Sequence, residues 1–198
     1  MKKELDYFKL GEGYGGNQDL FPDPDMKMGG CAAITACDSC IYFDLHKGTH
    51  LYPFNVHKLT EEDFFAFGMK MKPYLRPRWS GIDTLSLYME GVEAYLSDQK
   101  CQDIKMEPLD GNEPVEKAEA ALISQIDRDF PVPCLTLKHT DPAFEDFEWH
   151  WFLLTGYETI KDCCLAKAVT YGSCYWLDME RLWDTGYSRK GGLILYHG

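Results

Sequence analysis

The chain has 198 residues, 45% hydrophobic and 14% aromatic, enough for one compact domain or two closely packed subdomains around a real core. Lys and Arg total 20 against 32 Asp and Glu, a formal net charge of −12, so a phosphate backbone is repelled and nucleic acid is excluded as a general partner. The start, Met1-Lys2-Lys3-Glu4-Leu5, lacks the apolar stretch of a secretory signal, and no apolar run is long enough to span a bilayer. The expectation is a cytoplasmic chain with eight free thiols and no membrane partner.

Residues 11–30 are rich in Gly, Pro and Asp and read as a loop. The small-residue run from Cys31 to about Phe43 reads as a helix. Thr60 caps a second helix, with Glu61, Glu62 and Asp63 in its first turn, and that helix ends by Pro73. Ile82, Leu85, Met89, Val92 and Leu96 recur at helical spacing and predict an amphipathic helix over 81–98. Residues 107–112 are loop-like. Pro114 opens another helix with Val115, Ala118, Leu122 and Ile126 on its apolar stripe.

The pattern then changes. Strands are predicted over 130–138, over 149–155 (closed by Gly156-Tyr157), over 165–171 and, after a Gly172-Ser173 turn, over 174–177. Asp178 can cap a short helix through Trp183, and 191–196 ends the chain as a strand. Helices first and strands last indicate an α+β fold with a mostly antiparallel sheet. The expected division is a helical part, 1–108, and a β-rich part, 109–198.

Cys31 follows Gly29-Gly30 at a loop-to-helix junction. The helix dipole and unpaired N–H groups there favour a thiolate, and the glycines let a carbonyl approach the backbone. The plainer account is a buried helix cysteine. His150 lies in an apolar strand, on one face with Phe152 and Leu154, and needs a polar partner. It is either a core histidine bonded to a carbonyl or a base facing Cys31 across a cleft.

Cys37-Asp38-Ser39-Cys40 is a C-x-x-C followed by His46 and His50, which offers four potential zinc ligands or a redox pair. It would lie inside the Cys31 helix, with a short gap to His46, so no metal and no cofactor is expected.

The order Gly15-Gly16-Asn17-Gln18, Gly29 to Asp38, Phe130 to Leu137, Trp149 to Tyr157 and Val169 to Trp183 resembles papain-like cysteine peptidases. Within them it is most similar to the compact bacterial branch of bacteriocin-processing peptidases. The resemblance implies a papain-like α+β fold, with the cysteine helix packed on a sheet that bears the histidine. It implies Cys31 as nucleophile, His150 as general base, and Gln18 as a side-chain donor to the oxyanion, with Asn17 the neighbouring alternative. Twelve residues separate Gln18 from Cys31, more than in the family pattern. The family's orienting Asn or Asp corresponds here to Val169, which cannot hydrogen-bond; Thr170 takes the role if the register shifts by one. The implied function is cysteine-dependent hydrolysis or acyl transfer at an amide or peptide-like bond, on a peptide or small acyl substrate. The alternatives are a catalytically impaired papain-like binding module and, more weakly, the C-x-x-C zinc or redox protein. Oligomeric state is not indicated.

Overall fold

The computed structural model describes residues 1–77 and 81–198. Among the described residues six α-helices and nine strands build an α+β fold: β1 (Lys2–Glu4), β2 (Lys9–Leu10), β3 (Gly13–Tyr14), α1 (Pro24–Gly29), α2 (Cys31–His46), α3 (Glu61–Met71), α4 (Leu85–Asp98), β4 (Lys105–Asp110), α5 (Val115–Asp127), β5 (Val132–Thr136), β6 (His150–Ile160), β7 (Cys163–Thr170), β8 (Ser173–Asp178), α6 (Met179–Trp183) and β9 (Gly192–His197). The main sheet runs β4-β9-β5-β6-β7-β8, with β1 added on β6. All its pairs are antiparallel.

α2 is buried on every side along Ala32–Phe43, as its small residues allow. It also carries two acids, and each draws a loop onto the helix. The Asp44 carboxylate accepts from Thr49 Oγ1 (2.6 Å) and from the N–H groups of Leu51 and Tyr52 (2.8 Å each). Asp38 does the same for the segment before α1. α2 and α5 both pack against β6. The Trp151 ring stacks on Tyr88 of α4 at 4.3 Å, and its Nε1 donates to the Ile82 carbonyl at 2.6 Å, fixing β6 to the chain entering α4. Gln125 of α5 is buried because its amide pairs with both backbone groups of Tyr196 at 3.0 and 3.1 Å, replacing a neighbouring strand.

The capping expectations hold at Thr60, whose hydroxyl accepts from Asp63 N–H, and at Asp178, which accepts from Arg181 N–H. Pro114 stands just outside α5 as its N-cap.

Several expectations are corrected. Residues 105–110 are strand, not loop, and Pro108 is tolerated there because β4 is the outer strand beside β9. The expected division at residue 108 therefore falls inside a strand. β1 also joins the sheet from the chain's start, so helical and β-rich parts interleave around one continuous core. Gly156 does not close β6, which continues to Ile160 after a register shift between Leu154 and Gly156. A Cβ on Gly156 would stand 2.9 Å from the Lys3 carbonyl, so the glycine admits β1. Residues 11–30 are not all loop: Asp23 caps α1 and Pro24 sits in its first turn, which are helix-start signals. No described helix is long and apolar enough to cross a membrane.

Candidate functional site

Cys31 is the first residue of α2, after Gly30. No side chain caps this helix start, so its first N–H groups stay available. A Cβ on Gly30 would meet the Met26 carbonyl at 2.5 Å, so the α1–α2 junction admits glycine only. The half-buried Cys31 thiol borders a cleft of about 840 Å³ that it shares with Gln18, Trp149, His150, Tyr171 and Arg189. Beside it lies a small cavity of about 10 Å³, lined among others by Gln18, Cys31, Asp38, His150, Thr170 and Tyr171. That space admits about one water.

His150 begins β6 and is buried. Its Nε2 lies 2.6 Å from Thr170 Oγ1. The register explains why Thr170 and not Val169 meets it. Leu153 pairs with Val169 and Leu154 with Ala168, so Val169 belongs to the face of β6 opposite to His150, Phe152 and Leu154, and Thr170 to the same face. The Tyr171 ring stacks on the imidazole at 4.6 Å with the planes 1° apart, and its hydroxyl is 3.4 Å from Nδ1. In parallel stacking that hydroxyl lies above the ring, out of line with the in-plane lone pair. In the tautomer that carries its hydrogen on Nε2, Thr170 accepts it and Nδ1 is left as the basic atom.

Gln18 sits in a single turn of 3-10 helix and is buried beside Cys31 and His150. Its Nε2 donates one hydrogen to the Lys27 carbonyl at 3.0 Å and keeps a second; Oε1 is buried without a partner among the described residues. The segment between Gln18 and Cys31, expected as loop, is largely helical: it completes this turn and forms α1. Asn17 is engaged otherwise, its Oδ1 accepting from Asp19 N–H at 3.0 Å. All four sequence-selected residues, Gln18, Cys31, His150 and Thr170, line the small cavity together.

The electrostatics differ from the expectation for Cys31. Burial raises the thiol's pKa, and the N–H dipoles of Trp151, Ala32 and Cys31 itself only partly offset it. Burial also lowers His150 to about 4. Both shifts favour the neutral pair, thiol and imidazole, over thiolate and imidazolium. Among the described residues no hydrogen bond joins Cys31 to His150.

Asp38 was not singled out from the sequence as a site residue. Its signal was a carboxylate seven residues after Cys31, on the same helix face, in a run otherwise of small or apolar residues. On the described rim of the cleft stand Asp25, Asp83 and Glu148, with Arg189 held to Asp83 at 2.7 Å.

Cys37 and Cys40 are buried inside α2, and His46 lies against the Tyr42 ring. Among the described residues no group of three or more His, Cys, Asp or Glu is arranged to hold a metal. All eight cysteines are free thiols.

No protein-family model matches the chain. No curated protein matches it either.

Proposed function

We propose that the protein is a cysteine-dependent hydrolase or acyltransferase that acts on an amide or peptide-like bond, on a papain-like scaffold. The observation that carries this reading is that His150, whose Nε2 lies 2.6 Å from Thr170, borders the same cleft as a cysteine at a helix start. A core histidine needs a partner but no cleft, and a packing cysteine needs neither.

In this reading His150 takes the Cys31 proton at Nδ1 as the sulfur attacks the carbonyl carbon. The carbonyl π electrons move to oxygen, where the Cys31 N–H and the second Gln18 Nε2 hydrogen receive the charge. The imidazolium then gives its proton to the leaving amine, and water or an acceptor amine releases the acyl group. Thr170 orients the ring in place of the family's Asn or Asp.

Mixed-sequence fluorogenic peptide amides test the reading, with Cys31→Ser and His150→Ala as controls. Turnover abolished by both substitutions is expected. Turnover that survives Cys31→Ser overturns the assignment. No turnover, with Cys31 alkylated by iodoacetamide no faster than Cys101 or Cys134, favours the non-catalytic binding module.

A further inference from the structure

A carboxylate buried in a helix of small residues must find donors or stay protonated. Asp38, two turns along α2 from Cys31, finds them outside its helix. The Tyr7 hydroxyl donates to Oδ2 at 2.7 Å, and the Gly16 N–H donates to both oxygens at 3.0 and 3.1 Å. The approach requires the glycine pair. Gly15 has φ +62°, and a Cβ on it would stand 2.2 Å from Oδ2; a Cβ on Gly16 would stand 2.1 Å from the Phe64 ring. Two residues beyond the pinned N–H is Gln18. The same segment also reaches the strand turn that carries the His150 partners, for Tyr14 N–H donates to the Gly172 carbonyl at 2.9 Å.

We propose that Asp38 is a positioning residue: its carboxylate anchors the Tyr7–Gly16 segment to the cysteine helix and so holds the Gln18 amide at the small cavity shared by Cys31 and His150. The proposal deepens the thiol-hydrolase reading and rests on it for its kinetic consequence, but not for its geometric one.

Burial raises Asp38 to about 7 against the pull of Tyr7 and Gly16. The other titratable groups around it lie far from that value. Tyr7 is driven well above 10 and Cys37, its neighbour on α2, well above 9. Across the cavity Cys31 is raised, His150 is at about 4 and Tyr171 at about 12. A transition near neutral pH in this cluster therefore reports Asp38.

The experiment follows the Gly16 backbone amide and the Gln18 side-chain amide by NMR from pH 5 to 9, in wild type, Asp38→Asn, Asp38→Ala and Tyr7→Phe. In wild type both signals move together near pH 7. Asp38→Asn still accepts from Gly16 and gives flat profiles, whereas Asp38→Ala shifts or broadens the Gln18 signals at every pH. Each variant is also tested for alkylation of Cys31 and for binding of a peptide aldehyde. The thiol adds to the aldehyde carbon of this probe, its C=O π bond breaks, and the thiol proton passes to the oxygen that the Gln18 amide faces. Asp38→Ala should weaken aldehyde binding about 10- to 100-fold, with Cys31 alkylation unchanged and Asp38→Asn largely restoring it. Gln18 signals in Asp38→Ala that match wild type overturn the proposal, as does aldehyde binding that falls only in step with alkylation. If Asp38→Ala does not fold, wild type against Asp38→Asn decides: a wild-type Gln18 signal unmoved through pH 7 is the overturning result. A wild type that neither alkylates at Cys31 nor binds aldehyde removes the hydrolase reading, and the NMR signals still decide whether Asp38 holds Gln18.

Discussion

Thr170 Oγ1 lies 2.6 Å from His150 Nε2, so the hydroxyl of a strand threonine holds the orientation of an imidazole that burial keeps neutral. Thr170→Val removes the partner and leaves a buried ring nitrogen unpaired, at a cost of about 1–3 kcal/mol. Thr170→Ser keeps the hydroxyl and should cost much less. Urea unfolding of the two variants measures the difference. On the proposed activity, Val lowers kcat and Ser restores most of it. Equal stability of the two variants would mean that the contact holds nothing.

The strand alternation that places His150 was legible in the sequence; the exact neighbour was not. Val169 and Thr170 are adjacent, and which one reaches the ring depends on how β7 pairs with β6. Register is a long-range property, and a one-residue slip exchanges the faces. The helix of Cys31 was legible because its small residues have no other use, and the caps at Thr60 and Asp178 because they act within one turn. β1 was not legible: three residues rich in charge carry no strand pattern, and they pair only because Gly156 leaves room 150 residues later. Asp38 escaped for a related reason, since its donors come from a segment some twenty to thirty residues earlier.

The protonation of Cys31 gives a second prediction. A preformed ion pair would let Cys31 react with iodoacetamide at mildly acidic pH. Here burial raises the thiol and depresses the imidazole, so alkylation should climb only on the alkaline side, at or above the ordinary thiol range. The modified peptide is identified by mass spectrometry, because eight cysteines make bulk labelling ambiguous. A reactive plateau below pH 6, lost in His150→Ala, would show an ion pair in place of the neutral couple.

Gly30 supplies a third. Its missing side chain lets α1 end against the start of α2, where a Cβ would lie 2.5 Å from Met26 O and 2.9 Å from Met26 Cα, both backbone atoms. Gly30→Ala therefore distorts the last turn of α1 where it meets α2 and should destabilise by about 1–3 kcal/mol. Gly48→Ala is the control: no atom lies within 4 Å of its Cβ position, but φ is +70°, so the loss there reports backbone strain alone. Circular dichroism melts read both. The two variants should separate on alkylation, with Cys31 reactivity changed only by Gly30→Ala.

The pH dependence of stability sets the two buried ionisable groups against each other. His150 falls from an unfolded value near 6.5 to about 4, so between these limits the unfolded chain binds more protons. Its contribution is complete above about pH 6.5 and is lost as pH falls toward 4. Asp38 rises from about 4 in the unfolded chain to about 7, so the folded chain binds more protons in that window. Its contribution is complete below about pH 4 and is lost as pH rises through 7. Over the shared window the slopes have opposite sign, and the wild-type profile should be shallow. Asp38→Asn removes one slope and uncovers a rise of about 3 kcal/mol from pH 4 to 6.5. His150→Gln removes the other and uncovers a decline from pH 4 to 7. Urea titrations at half-unit pH intervals measure all three profiles. A wild type as steep as Asp38→Asn would mean that the Asp38 carboxyl ionises as an ordinary surface acid, and that the contacts of Tyr7 and Gly16 with it do not form in a buried site.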